Sequence, residues 1–95
     1  MSSPVPPRFR PSPDALATRV GEEIVLVHTR TDKIYVLNRT GARVWELLSD
    51  DLDRAGIAER LEGEFEVTRV QVAAEVDDVL RSLVAARLIA ARDDG

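Results

Sequence analysis

All five prolines of this chain lie between Pro4 and Pro13, and residues 14–95 contain none. Proline fixes φ and has no N–H to donate, so a stretch this rich in it joins neither a sheet interior nor a helix. Residues 1–13 are therefore expected to form an extended or disordered arm, a plain tail more readily than a PxxP-type ligand for a partner. Whatever packs must come from the proline-free remainder. At 95 residues the chain has the length of one domain, expected over 14–91 with a short tail at 92–95.

The remainder changes period once. Residues 15–20 alternate apolar and polar, residues 23–29 contain the apolar run Ile24-Val25-Leu26-Val27, and residues 33–38 read Lys-Ile-Tyr-Val-Leu-Asn. These are three strand patterns. Gly21-Glu22 and Arg30-Thr31-Asp32 are short polar connections, which predict a meander with the middle strand central and both outer strands as edges. From residue 40 onward the period is helical. Thr40 is the expected cap of a helix over 41–49 with Val44, Trp45 and Leu48 on one face. Asp53 can cap a second, where Ile57, Leu61 and Phe65 recur every four residues and Gly63 is expected to fray the end. Thr68 can cap a third over 69–87 with the stripe Val72, Val76, Val79, Leu80, Leu83, and Leu88-Ile89-Ala90-Ala91 follows as an apolar tail that can dock on the core. Strands first and helices after predict an α+β fold, a three-stranded antiparallel sheet with three helices on one face.

Composition removes most chemistry. There is no cysteine, which excludes disulfides, thiolate metal sites and cysteine nucleophiles, and a single histidine, His28, for which a structural role is expected. Trp45 sits on the apolar helix face and is expected in the core. Asp50/Asp51 and Asp77/Asp78 are sequence neighbours, which a helix points in different directions, so neither pair is a catalytic carboxylate pair. No glycine-rich phosphate loop, metal-ligand spacing or nucleophile elbow is present, and no cofactor is expected. No membrane span or secretory signal is evident, so the expected setting is the cytoplasm. Charge is uneven: residues 1–48 hold seven basic and five acidic side chains, residues 49–95 six and twelve. The third helix balances Arg69, Arg81 and Arg87 against Glu75, Asp77 and Asp78, and the second is acidic, so neither suits a DNA groove. A binding module, not an enzyme, is the expectation.

The third strand is the informative element. Ile34 to Leu37 are apolar at four consecutive positions on a sheet edge, with only Lys33 to blunt it. Such an edge is either covered by the protein's own helix or kept open for a guest strand, and the pattern alone leaves both readings standing. The same edge could pair with a second copy, giving a homodimer.

The stretch Ile34-Tyr35-Val36-Leu37-Asn38 followed by Arg39-Thr40-Gly41-Ala42-Arg43-Val44-Trp45-Glu46-Leu47-Leu48 resembles the PqqD-like family. These are recognition elements for precursors of ribosomally synthesised and post-translationally modified peptides. The downstream order, Phe65, then Val72 to Leu83 around Asp77-Asp78-Val79, then Leu88-Ile89, extends the likeness over residues 14–91. The Thr-Gly-Ala-Arg-Val-Trp wording is more similar to the free-standing lasso peptide type. The resemblance implies a winged helix-turn-helix-like fold and a leader peptide added as a fourth, antiparallel strand beside the third, packed against the third helix. It also implies a separate cysteine (transglutaminase-like) leader peptidase as the catalytic partner; the charge balance and the lack of a membrane span leave no expected role for nucleic acid or membrane. The expected peptide-binding residues are Lys33, Ile34, Tyr35, Val36 and Leu37 on the strand with Ala73, Val76, Asp77 and Leu80 on the helix, and the acids Glu75, Asp77 and Asp78 could select a basic residue in the leader.

Overall fold

A computed structural model describes residues 8–91. Eight elements follow one another: β1 (Phe9–Pro11), β2 (Ala15–Val20), β3 (Glu23–His28), β4 (Lys33–Leu37), α1 (Arg39–Ser49), α2 (Arg54–Phe65), α3 (Arg69–Ala85) and β5 (Ile89–Ala91). The central sheet is antiparallel in the order β2-β3-β4, and β1 pairs with β5 in a separate two-stranded ribbon. The expected α+β meander followed by three helices is what forms.

Strand alternation sets the sheet's two faces. Ile24, Leu26 and His28 of β3 are buried against the helices, while Val25 and Val27 between them are half-buried on the other side. Gly21 holds φ at 63° at the first of two loop positions between β2 and β3, the left-handed value a primed hairpin turn requires. His28 is structural: its imidazole Nδ1 accepts from the Arg30 N–H at 3.2 Å. Each helix starts on a side chain that satisfies an orphan N–H. Asp53 accepts from the Gly56 N–H and Thr68 from the Gln71 N–H, as expected. The cap of α1 is Asn38, whose Oδ1 accepts from Gly41 N–H at 2.9 Å, and not the expected Thr40. A capping amide two residues earlier draws Arg39 and Thr40 into the first turn. Gly63 does not fray α2, which runs on to Phe65 and stops where Glu66 turns left-handed (φ 52°).

The core is one cluster. Trp45, Val44, Leu47 and Leu48 of α1 meet Leu26 of β3, Ile57 and Leu61 of α2, and Val72, Val76, Leu80 and Leu83 of α3. The ribbon is the departure from expectation. Phe9, placed by the proline pattern in a disordered arm, is 3% exposed and belongs to the core, and its strand pairs Phe9↔Ala91, Arg10↔Ala90 and Pro11↔Ile89. Pro11 is tolerated because it stands at the end of a short strand. Residues 1–7 of the expected arm and the tail at 92–95 lie outside the described residues.

One ion pair joins α1 to α2. Arg43 donates to both carboxylate oxygens of Glu64 at 2.8 Å, and this hydrogen bonding holds the Glu64 carboxyl below its usual range. A depressed folded value means the stabilisation is present at neutral pH and disappears as pH falls through that value. Both side chains are about a third exposed (30% and 36%), which limits the pair to ~0.2–1 kcal/mol. Glu64→Gln should lower the urea midpoint slightly at pH 7, and the gap to the parent should narrow as pH falls below the ordinary glutamate range and through the depressed folded value.

Candidate binding groove

β4 ends the sheet, and its hydrogen-bonding phase can be read from one contact. In an antiparallel pair, bonded and non-bonded positions alternate. Thr29 N–H donates to the Asp14 carbonyl at 2.9 Å, continuing the β2–β3 ladder. The β3 residues bonded to β2 are then 23, 25 and 27, and those turned toward β4 are Ile24, Leu26 and His28. Their partners are Leu37, Tyr35 and Lys33. The backbone N–H and C=O groups of Ile34 and Val36 therefore point away from the sheet, and among the described residues no strand takes them up.

A groove of about 560 Å³ runs beside this edge. Its strand side is Ile34 to Leu37, its helix side is Asp78, Val79, Ser82, Leu83 and Ala86 of α3, and Gly41 and Leu88 also line it. The phase of β4 divides its side chains. Tyr35 and Leu37 are half-buried and pack against the core, whereas Ile34 and Val36 are 66% and 60% exposed on the opposite face of the sheet. On that outer face they continue two cross-strand rows, Leu16–Val27–Ile34 and Thr18–Val25–Val36, which form an apolar surface uncovered by any described residue.

The structure brings the five expected strand residues together, with Lys33 exposed at the start of β4 and Ile34, Tyr35, Val36 and Leu37 along the groove. It does not bring the expected helix residues there. Val76 and Leu80 are fully buried in the core. Ala73 and Asp77 line a different cleft, of about 300 Å³ between α2 and α3, where Asp77 accepts from Arg54 at 2.9 Å. Glu75 is exposed and lines neither cleft. The physical reason is helical phase: one residue is about a quarter turn, and α2 occupies the flank assigned to the groove. Val79 and Leu83 were visible in the apolar stripe, but Ser82 and Ala86 carried no signal of their own. Among the described residues no cluster of His, Cys, Asp or Glu could hold a metal ion, and no helix is long and apolar enough to cross a membrane.

Sheet, helices and groove define a small winged helix-turn-helix-like domain in which the open edge of β4 borders the groove. The chain belongs to the PqqD family: the family model described as coenzyme PQQ synthesis protein D matches residues 23–89. No match is found among curated proteins. Two solved structures are similar over nearly their whole length. One is TbiB1 in complex with the TbiA(beta) leader peptide, 27% identical, TM-score 0.82, covering 90% of this chain and 99% of that one. The other is lasso peptide synthetase B1 complexed with its leader peptide, 25% identical, TM-score 0.81, covering 87% and 98%. The resemblance read from Ile34 to Leu48 is borne out in its family and in its likeness to the lasso type.

Proposed function

We propose that this chain binds the leader region of a ribosomally synthesised precursor as a fourth, antiparallel strand on β4 and hands it to a separate cysteine (transglutaminase-like) leader peptidase in lasso peptide maturation. The observation that carries the reading is the free edge of β4 facing a groove, in a domain whose solved look-alikes hold leader peptides. Pairing would engage the outward N–H and C=O groups of Ile34 and Val36, which supplies affinity that depends little on sequence. Guest residues opposite Tyr35 and Leu37 would then face α3, where Val79, Leu83 and Ala86 offer apolar contacts. Guest residues opposite Ile34 and Val36 would extend the apolar outer face. A partner seated on that face would touch the bound guest and this chain together, which suits a hand-over. The chain itself performs no chemistry in this reading, and its partners are a peptide and a peptidase.

Amide exchange tests the strand addition directly. Synthetic peptides tiling the N-terminal half of a lasso peptide precursor are titrated into the labelled protein. The Ile34 and Val36 amides should gain protection, while those of Tyr35 and Leu37, already bonded to β3, should change little. Protection confined to the β2 edge, or to none of these amides, would remove β4 as the site.

A further inference from the structure

Five carboxylates of the described residues, Asp14, Glu46, Glu62, Glu64 and Asp77, are held in ion pairs with arginines, and Asp53 caps α2. Asp78 has neither an ion pair nor a hydrogen bond from its side chain, although Arg81 lies three residues further along the same helix. Among the described residues it is also the one acidic side chain lining the β4–α3 groove. The neighbouring wall is Val79, Leu83, Ala86, Leu88 and Leu37, and Ser82 stands one helical turn beyond Asp78 with a second oxygen.

We infer that the guest strand carries a lysine or arginine among its groove-facing residues and that Asp78 selects it. This rests on the strand-addition reading above. A free carboxylate at the rim of an apolar wall complements a long side chain whose methylene stem packs on the wall while its charged head reaches the rim. The phase of β4 restricts where the cation can sit. Guest side chains alternate between faces, so only every second residue, in step with those opposite Tyr35 and Leu37, reaches α3. The expected guest pattern is a basic residue separated by one position from an apolar one. Asp77 cannot take this part, because Arg54 already neutralises it on the far flank of the helix. Lys33 stands outside the groove lining and does not compete for Asp78.

The test is a selection of random twelve-residue peptides displayed on phage against the full chain and against four folded variants. The parent should enrich peptides with Lys or Arg two residues from an apolar side chain. Asp78→Lys should turn that position to Asp or Glu and bind the parent's peptides at least fivefold more weakly at low salt. Asp78→Asn should lose the charge preference without reversing it, and Asp77→Asn should keep it. Peptides from the parent that lack the basic position, or an unchanged preference in Asp78→Lys, overturn the inference and leave strand addition intact. Failure of the parent to enrich any peptide, or equal enrichment by Val36→Pro, overturns both.

Discussion

Val36→Pro should remain folded and lose most of its affinity for the leader. The Val36 N–H points off the sheet, so no bond of the native ladder is lost, and edge positions are where strands accept proline. A guest strand, by contrast, loses its donor there and leaves a carbonyl unpaired, while the pyrrolidine ring occupies the space the guest backbone needs. An unsatisfied group of this kind costs ~1–3 kcal/mol, roughly five- to 150-fold in affinity, before the steric contribution is added. Val36→Ala keeps the N–H and should bind within a few-fold of the parent. Fluorescence anisotropy with labelled leader gives the affinities, and far-UV circular dichroism shows whether each variant is folded. A folded Val36→Pro that binds like the parent would place the guest strand elsewhere.

Leu80→Ala should cost ~2–5 kcal/mol of folding stability, because Leu80 is fully buried in the core cluster and core side chains close such a cavity only in part. For a domain of this size that is a large share of the total. Val70→Ala, at the exposed start of the same helix (80% exposed), should stay within about 0.5 kcal/mol of the parent. Urea denaturation read as a midpoint shift at constant slope separates the two. At subsaturating denaturant, folded Leu80→Ala should bind leader with an affinity close to the parent's. A small stability change with a large binding loss would return Leu80 to the groove, where the helical stripe first put it.

That contrast locates what could be read from residues alone. The central meander and three helices were legible because each rests on local patterns: Ile24 and Leu26 alternating with Val25 and Val27, caps such as Asp53 and Thr68, and stripes such as Ile57-Leu61. The strand half of the groove was legible too, since an apolar edge shows in four consecutive residues. Its helix half was not. Both flanks of α3 beside the stripe are polar, and the choice between Asp77 and Asp78 depends on where α2 docks and on Arg54, 23 residues away. β1 was hidden for a similar reason. Nothing local distinguishes Phe9 from its proline-rich surroundings. What orders it is a partner strand at Ile89–Ala91 at the other end of the sequence.

The β1–β5 ribbon has a consequence for how the domain can be connected. Phe9 and Ala91 sit opposite one another in register, so the backbone enters and leaves the fold at a single point, a few ångströms apart. Between those two residues the described chain is topologically close to a ring. A short bridge between those two points would cyclise it without bending any element, and the same geometry lets the domain be carried as an insert in a surface loop of a host protein. Residue 88, immediately before the ribbon, lines the groove. The place where the fold is tied off is therefore also a brace for the surface where a leader would lie.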